Sequence, residues 1–200
     1  MLSPVSGFPG KFLLAGVGVL SLSVGATAPA QAALVPDPTR ALAAAASCTR
    51  EAGVYYLGSA ISLPIRRVVD VKGSARADGS PVILWTNTGG NNQRWWIYRC
   101  DNNAMVFQGV DSRKCLDMSL RRPPQNGNQV YIFGCRFTAN QQWKARPGSD
   151  PRIVELVNMA DPGRNLVLDV VNAQNSNGAG IQVWQATGRS NQRWSVGRVG

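Results

Sequence analysis

Apolar positions along this chain fall into two regimes. Near the amino terminus they run together from Phe12 to Val24 (FLLAGVGVLSLSV). From residue 48 onward they come in short bursts such as VVDV, VILW, CLDM, VYIF, VLDV and IQVW. Turn residues interrupt these bursts about every 8–12 positions. Short apolar or alternating runs bounded by Gly, Asn, Asp and Pro predict strands. No segment after 48 carries a long 3.6-residue period, so the pattern predicts an all-β domain.

The amino-terminal run reads as an address rather than a structural element. Lys11 precedes it, small residues follow, and Ala30-Gln31-Ala32 has the form of a signal-peptidase site. An uncleaved anchor is the other reading, but a spanning helix needs roughly 20 apolar residues. The expected organisation is a secretory signal peptide over 1–32, an Ala/Pro-rich linker over 33–47 and one domain over 48–198. Cys48 does not read as a lipoprotein cysteine, because Ala45-Ala46-Ser47 lacks a large aliphatic residue.

The domain repeats itself three times. Gln93-Arg94-Trp95, Gln141-Gln142-Trp143 and Gln192-Arg193-Trp194 are Q-x-W triplets, each preceded by an asparagine: Asn92, Asn140 and Asn191. Seven residues before each asparagine stands an aromatic: Trp85, Phe133 or Trp184. Earlier still, inside an apolar run, stands Asp70, Asp117 or Asp169, at distances of 15, 16 and 15 from its aromatic. A Gly- or Asn-rich turn lies between them: ADGSP, QNGNQ or NSNGAG. One Q-x-W is a weak signal, but three ordered sets at near-constant spacing define a repeat. Three units fall short of the four or more blades of a propeller. Closing on a common axis, they would share one core and leave few strand edges. The triplet tryptophans would fill that core, each burying roughly 150–250 Å².

This pattern resembles the ricin B-type lectin domain, a β-trefoil of three lobes with Q-x-W repeats. The resemblance covers about 48–198. It implies a shallow sugar pocket in each lobe, built from an aspartate, an aromatic platform, a polar residue two before the aromatic, and the asparagine before the triplet. It implies a structural role for Gln93, Trp95, Gln141, Trp143, Gln192 and Trp194. The third lobe matches fully, with Asp169, Gln182, Trp184 and Asn191. The first keeps Asp70, Trp85 and Asn92 but has Ile83 where Gln182 stands. The second keeps Asp117, Phe133 and Asn140 but has Tyr131 there.

These residue types suit a sugar. A hexose has an apolar C–H face, which a flat aromatic ring can meet, and an edge of hydroxyls. A carboxylate accepts from two adjacent hydroxyls, and charge-assisted bonds of this kind contribute about 1.5–3 kcal/mol when well made. Asparagine supplies a donor and an acceptor. The resemblance admits galactose-type and xylose-type ligands.

The four cysteines of a secreted chain are disulfide candidates. If Asp117 and Phe133 face each other on antiparallel strands, their numbers sum to 250, and so do those of Cys115 and Cys135. Antiparallel pairing keeps that sum constant, so Cys115–Cys135 is the expected bridge. Cys48–Cys100 follows by elimination.

Composition narrows the function classes. The chain has no histidine, so it holds no Ser-His-Asp triad, no Cys-His pair and no His-ligated zinc. No cysteines are spaced C-x-x-C, and no metal or cofactor is expected. Glycosidases need two carboxylates about 5–10 Å apart, and the repeated aspartates would lie on separate lobes. The leading expectation is therefore a secreted, extracellular, non-catalytic lectin standing alone, with the third lobe as its best site. The resemblance also admits the cell-binding subunit of a multi-chain toxin; a protruding-loop protease inhibitor ranks lower. Net charge is +10, with basic pairs at Arg66-Arg67, Arg113-Lys114 and Arg121-Arg122. They read as solvated surface, or as attraction to an anionic polymer. Nucleic acid is not expected as a partner, and neither is a membrane span.

Overall fold

The computed structural model describes residues 47–200. The expected signal peptide, and the linker up to residue 46, lie outside the described residues. Thirteen strands follow one another: β1 (Cys48–Arg50), β2 (Tyr55–Ser59), β3 (Arg67–Val71), β4 (Ser80–Thr86), β5 (Trp95–Cys100), β6 (Met105–Gly109), β7 (Cys115–Met118), β8 (Asn128–Phe133), β9 (Trp143–Pro147), β10 (Ile153–Asn158), β11 (Leu166–Val170), β12 (Ala179–Gln185) and β13 (Trp194–Arg198). Among the described residues the only helical pieces are short 3-10 turns, as the lack of a helical period predicts.

Six strands close a barrel. β2 pairs β5, β5 pairs β6, β6 pairs β9, β9 pairs β10, β10 pairs β13, and β13 returns to β2. Closure removes the exposed edges that an open sheet would present. The three hairpins β3–β4, β7–β8 and β11–β12 cap one end, and β4, β8 and β12 pair among themselves around the axis. This is a β-trefoil with lobes β2–β5, β6–β9 and β10–β13. β1 lies outside the barrel, paired to β5.

The repeat explains the closure. Trp95, Trp143 and Trp194 are fully buried. Each faces one residue on the first strand of the next lobe: Gly109, Asn158 and Ser59 respectively. Two positions along those strands lie Phe107, Leu156 and Leu57, which fill the barrel beside the indoles. Each indole Nε1 donates to the carbonyl just before its own lobe's aspartate: Val69 at 3.4 Å, Leu116 at 3.2 Å and Leu168 at 2.9 Å. The core tryptophan thereby locates the aspartate.

The cap is locked cyclically. Gly79 donates its amide to Ile132, Gly127 to Val183 and Gly178 to Leu84, each at 2.9 Å, so every hairpin tip bonds the next lobe. These glycines have φ of 81°, 82° and 90°, a conformation that costs a residue with Cβ and leaves glycine unstrained. The turns ADGSP, QNGNQ and NSNGAG are therefore the sequence mark of the lobe contacts.

Both expected disulfides are present, Cys48–Cys100 and Cys115–Cys135. The register argument for the second needs correction. Cys115 faces Phe133 and Asp117 faces Tyr131, so paired numbers sum to 248 rather than 250. Cys135 lies two residues beyond the register partner of Cys115, past the end of β8, and reaches back to it. Cys48 and Cys100 are themselves direct register partners.

Candidate functional site

The register is the same in all three lobes. Asp70 faces Ile83, Asp117 faces Tyr131 and Asp169 faces Gln182 across their hairpins. The aromatic two residues later lies on the same face, opposite the residue two before the aspartate. Each aspartate is thus placed beside its platform by hairpin register, and behind it by the core tryptophan.

The triplet glutamine ties this arrangement together. Gln192 donates to Asp169 Oδ2 at 3.0 Å and to the Gln185 carbonyl at 3.1 Å, and its Oε1 accepts from the Thr187 amide at 2.7 Å and the Thr187 hydroxyl at 2.9 Å. Gln93 does the same with Asp70, Thr86 and Thr88. Gln141 does so with Asp117 and Gly134, accepting from the Arg136 and Phe137 amides. These buried amides latch the loop after the platform onto the aspartate.

Asn191 Nδ2 donates to Asp169 at 2.7 Å and, at longer range, to the Val170 carbonyl. Asn92 and Asn140 make the equivalent pairs with Asp70 and Val71, and with Asp117 and Met118. One amide proton of each asparagine is held by the aspartate, and the second points to a backbone carbonyl, at 3.1 Å for Asn140 and 3.5 Å for Asn92 and Asn191. In the second lobe the Asn140 oxygen accepts from the Thr138 hydroxyl.

In the third lobe Gln182 donates to Asp169 Oδ1 at 3.0 Å. Three side chains therefore fix that carboxylate. Trp184 is 41% exposed beside it. Asp169, Gln182, Trp184 and Asn191 line one cleft of about 370 Å³, with Asn172, Ala173, Thr187 and Arg189 completing the wall. In the first lobe Trp85 is 40% exposed, but Ile83 gives Asp70 no donor, and Asn92 and Gln93 both bind its Oδ2. In the second lobe Asp117, Tyr131, Phe133 and Asn140 line a cleft of about 480 Å³, together with Leu120, Arg121, Arg136 and Thr138. Asn140 and Gln141 take one oxygen of Asp117 each.

Burial pushes all three carboxyls above the ordinary aspartate range, and the amide donors pull them part of the way back. Asp117 rises furthest, to about 6. Among the described residues no group of three metal-ligating side chains is gathered, and no helix is long and apolar enough to cross a membrane.

At least one member of each basic pair finds a partner at the surface. Arg67 bonds Asn175 and Asn177, Lys114 pairs with Asp78, and Arg122 bonds the Gly127 carbonyl. Arg113 and Arg50 lie 4.3 and 5.3 Å from the centre of the half-buried Trp96 ring. Arg136, Thr138, Arg189 and Asn172 escape a reading of the repeat that follows only shared residues, because each is a position where the lobes differ.

The profile of the ricin-type β-trefoil lectin domain matches residues 62–194. The chain belongs to that family. A designed three-fold symmetric protein, ThreeFoil, superposes with a TM-score of 0.66 at 26% identity, covering 74% of this chain and 99% of its own. The ricin B-like lectin of Macrolepiota procera, solved with lactose, gives 0.60 at 17% identity, covering 76% of this chain and 100% of its own. A probable lipoprotein, EnvE, of Salmonella typhimurium is 31% identical over 83 residues, 40% of this chain and 43% of that protein. The matched segment thus spans under half of that relative. A ricin-type lectin fold indicates carbohydrate binding.

Proposed function

We propose that this protein is a secreted, non-catalytic lectin that binds sugar residues of a polysaccharide or cell-surface glycan, mainly through its third lobe. One observation carries the reading: an exposed Trp184 stands beside an Asp169 carboxylate held by Gln182, Asn191 and Gln192, in a single cleft. The indole takes the C–H face of a hexose, and the remaining lone pairs of Asp169 accept from its hydroxyls. Fixing the carboxylate beforehand lowers the ordering cost of binding. Galactose-type sugars are the first candidates, in line with the lactose bound by the Macrolepiota lectin.

Among the described residues Asp169 is the lone acid lining its cleft and Asp117 the lone acid lining the second, whereas hydrolysis of a glycoside uses two carboxylates. Secretion is supported by the amino-terminal address and by four cysteines that are all bridged. An open cleft binds a monosaccharide weakly, on the order of millimolar or about −4 kcal/mol. Pockets on one rigid body raise the apparent affinity for a polymer by about 10²–10⁴ where spacing permits.

The test is a glycan and polysaccharide array at physiological salt with wild type, Trp184→Ala and Asp169→Ala. Neutral-glycan binding lost in both variants supports the reading. Neutral binding retained in both moves the site to another lobe. Silence on all neutral glycans overturns it.

A further inference from the structure

The three lobes are internal controls for one another, and the second departs from the others in charge. Three residues after the platform stand Thr88, Arg136 and Thr187. The two threonine hydroxyls close the latch onto Gln93 and Gln192. In the second lobe the amides of Arg136 and Phe137 close it instead, at 2.8 and 3.0 Å. The Arg136 side chain is thereby released, and its guanidinium lies 5.4 Å from the centre of the Phe133 ring. Four residues after the aspartate stand Ser74, Arg121 and Ala173. Again only the second lobe has an arginine.

Arg121 and Arg136 line the same 480 Å³ cleft. Among the described residues neither guanidinium makes an ion pair or a side-chain hydrogen bond, while Arg136 acts on the Asp117 and Asp78 carboxylates at longer range. Arg76, Arg99, Arg146, Arg152 and Arg164, by contrast, are each paired with an acid. The cleft therefore holds two forks of unspent donors. Its asparagine acceptor is already used, since Asn140 accepts from Thr138, while Asp117, like Asp169, accepts on both oxygens. The platform ring is shared with a cation. In the third cleft Arg189 also lines the wall, but among the described residues no guanidinium lies on the Trp184 ring. A neutral hydroxyl edge fits the third cleft. The second presents a geometry that a carboxylate completes, since guanidinium meets carboxylate through two parallel bonds.

We propose that the second lobe binds an acidic sugar, one bearing a carboxylate, through Arg121 and Arg136, with Leu120, Tyr131 and Phe133 contacting its apolar face. This rests on the lectin reading and extends it to a two-specificity protein, with neutral sugar on the third lobe and acidic sugar on the second.

The experiment uses the full secreted protein and calorimetric or NMR titration at 150 mM salt. Probes are glucuronate, galacturonate and N-acetylneuraminate, with glucose, galactose and acetate as controls. Wild type is expected to bind at least one acidic sugar tenfold or more tighter than the neutral sugars at this lobe and tighter than acetate. The double variant Arg121→Ala/Arg136→Ala is expected to lose that binding by tenfold or more and to keep galactose binding at the third lobe, which also reports that it is folded. The double lysine variant, which keeps charge but not the fork, is expected to recover only part. Acidic binding unchanged in the alanine variant, or matched by acetate, overturns the proposal. Galactose binding without any acidic binding overturns it and leaves the lectin reading standing. Failure of every sugar to bind overturns both.

Discussion

Gln192 Nε2 donates to Asp169 Oδ2 at 3.0 Å while Gln192 Oε1 accepts from the Thr187 amide at 2.7 Å. One buried side chain therefore joins the carboxylate of the site to the loop behind the platform. Removing it leaves Asp169 Oδ2 with Asn191 as its remaining donor and strips the part-buried Gln185 carbonyl and Thr187 amide of this partner. Each orphaned group costs about 1–3 kcal/mol, with some recovered by water. Gln192→Ala is expected to destabilise the domain by about 2–4 kcal/mol and to lower Tm by roughly 5–15 °C. Thermal unfolding checks this, with Gln93→Ala and Gln141→Ala expected to behave alike.

Gln182 tests the binding side of the same network. It is half-buried and gives Asp169 Oδ1 its donor, and the first lobe carries a buried Ile83 at the matching position. Gln182→Ile therefore keeps a residue that the trefoil already accommodates. The lost orienting bond is worth about 1 kcal/mol. Titration with the sugar that binds the third lobe is expected to show roughly fivefold weaker affinity and a Tm changed by less than a few degrees. A large fall in Tm with affinity intact would assign Gln182 to the fold instead.

The trefoil was legible because its cause repeats. Three indoles with their glutamines recur at 48- and 51-residue intervals, and each fills the same place in the barrel. The candidate site was legible for the same reason: Asp169, Gln182, Trp184 and Asn191 do meet in one cleft. What pattern reading missed lies where geometry is not periodic. The second hairpin is one residue longer between aspartate and aromatic, and sums of residue numbers cannot show that Cys135 folds back from beyond β8. Spacing shows which amide is near a carboxylate, not which of its atoms are already bonded. Trp96 had no assignable role until folding brought Arg50 and Arg113 to its ring.

The two disulfides differ in the chain they close. Cys48–Cys100 spans 52 residues and Cys115–Cys135 spans 20. Loop-closure entropy assigns them about 4 and about 3 kcal/mol. Replacing either pair by serine is expected to lower the urea midpoint, the longer loop more, measured on otherwise oxidised protein. The opposite order would show that the peripheral place of β1 outweighs loop length.

The buried aspartates set the pH dependence. Burial raises Asp117 from the ordinary aspartate value of 3.8 to about 6 in the fold. Between those values the folded state binds more protons than the unfolded one, so stability falls as pH rises through that window and levels off above it. At 1.36 kcal/mol per unit the loss from Asp117 reaches about 3 kcal/mol. Asp70 and Asp169 are raised as well and act in the same direction. The exposed Asp78 and Asp150, held below the usual range by Lys114 and Arg152, act the other way at lower pH. The stability maximum is therefore expected near pH 4–5 rather than at neutrality. Urea unfolding at pH 4.5 and 7.5 measures the difference, and Asp117→Asn, which removes the titrating proton, is expected to shrink it. A wild type more stable at pH 7.5, or a variant with an undiminished difference, would show that Asp117 does not govern this window.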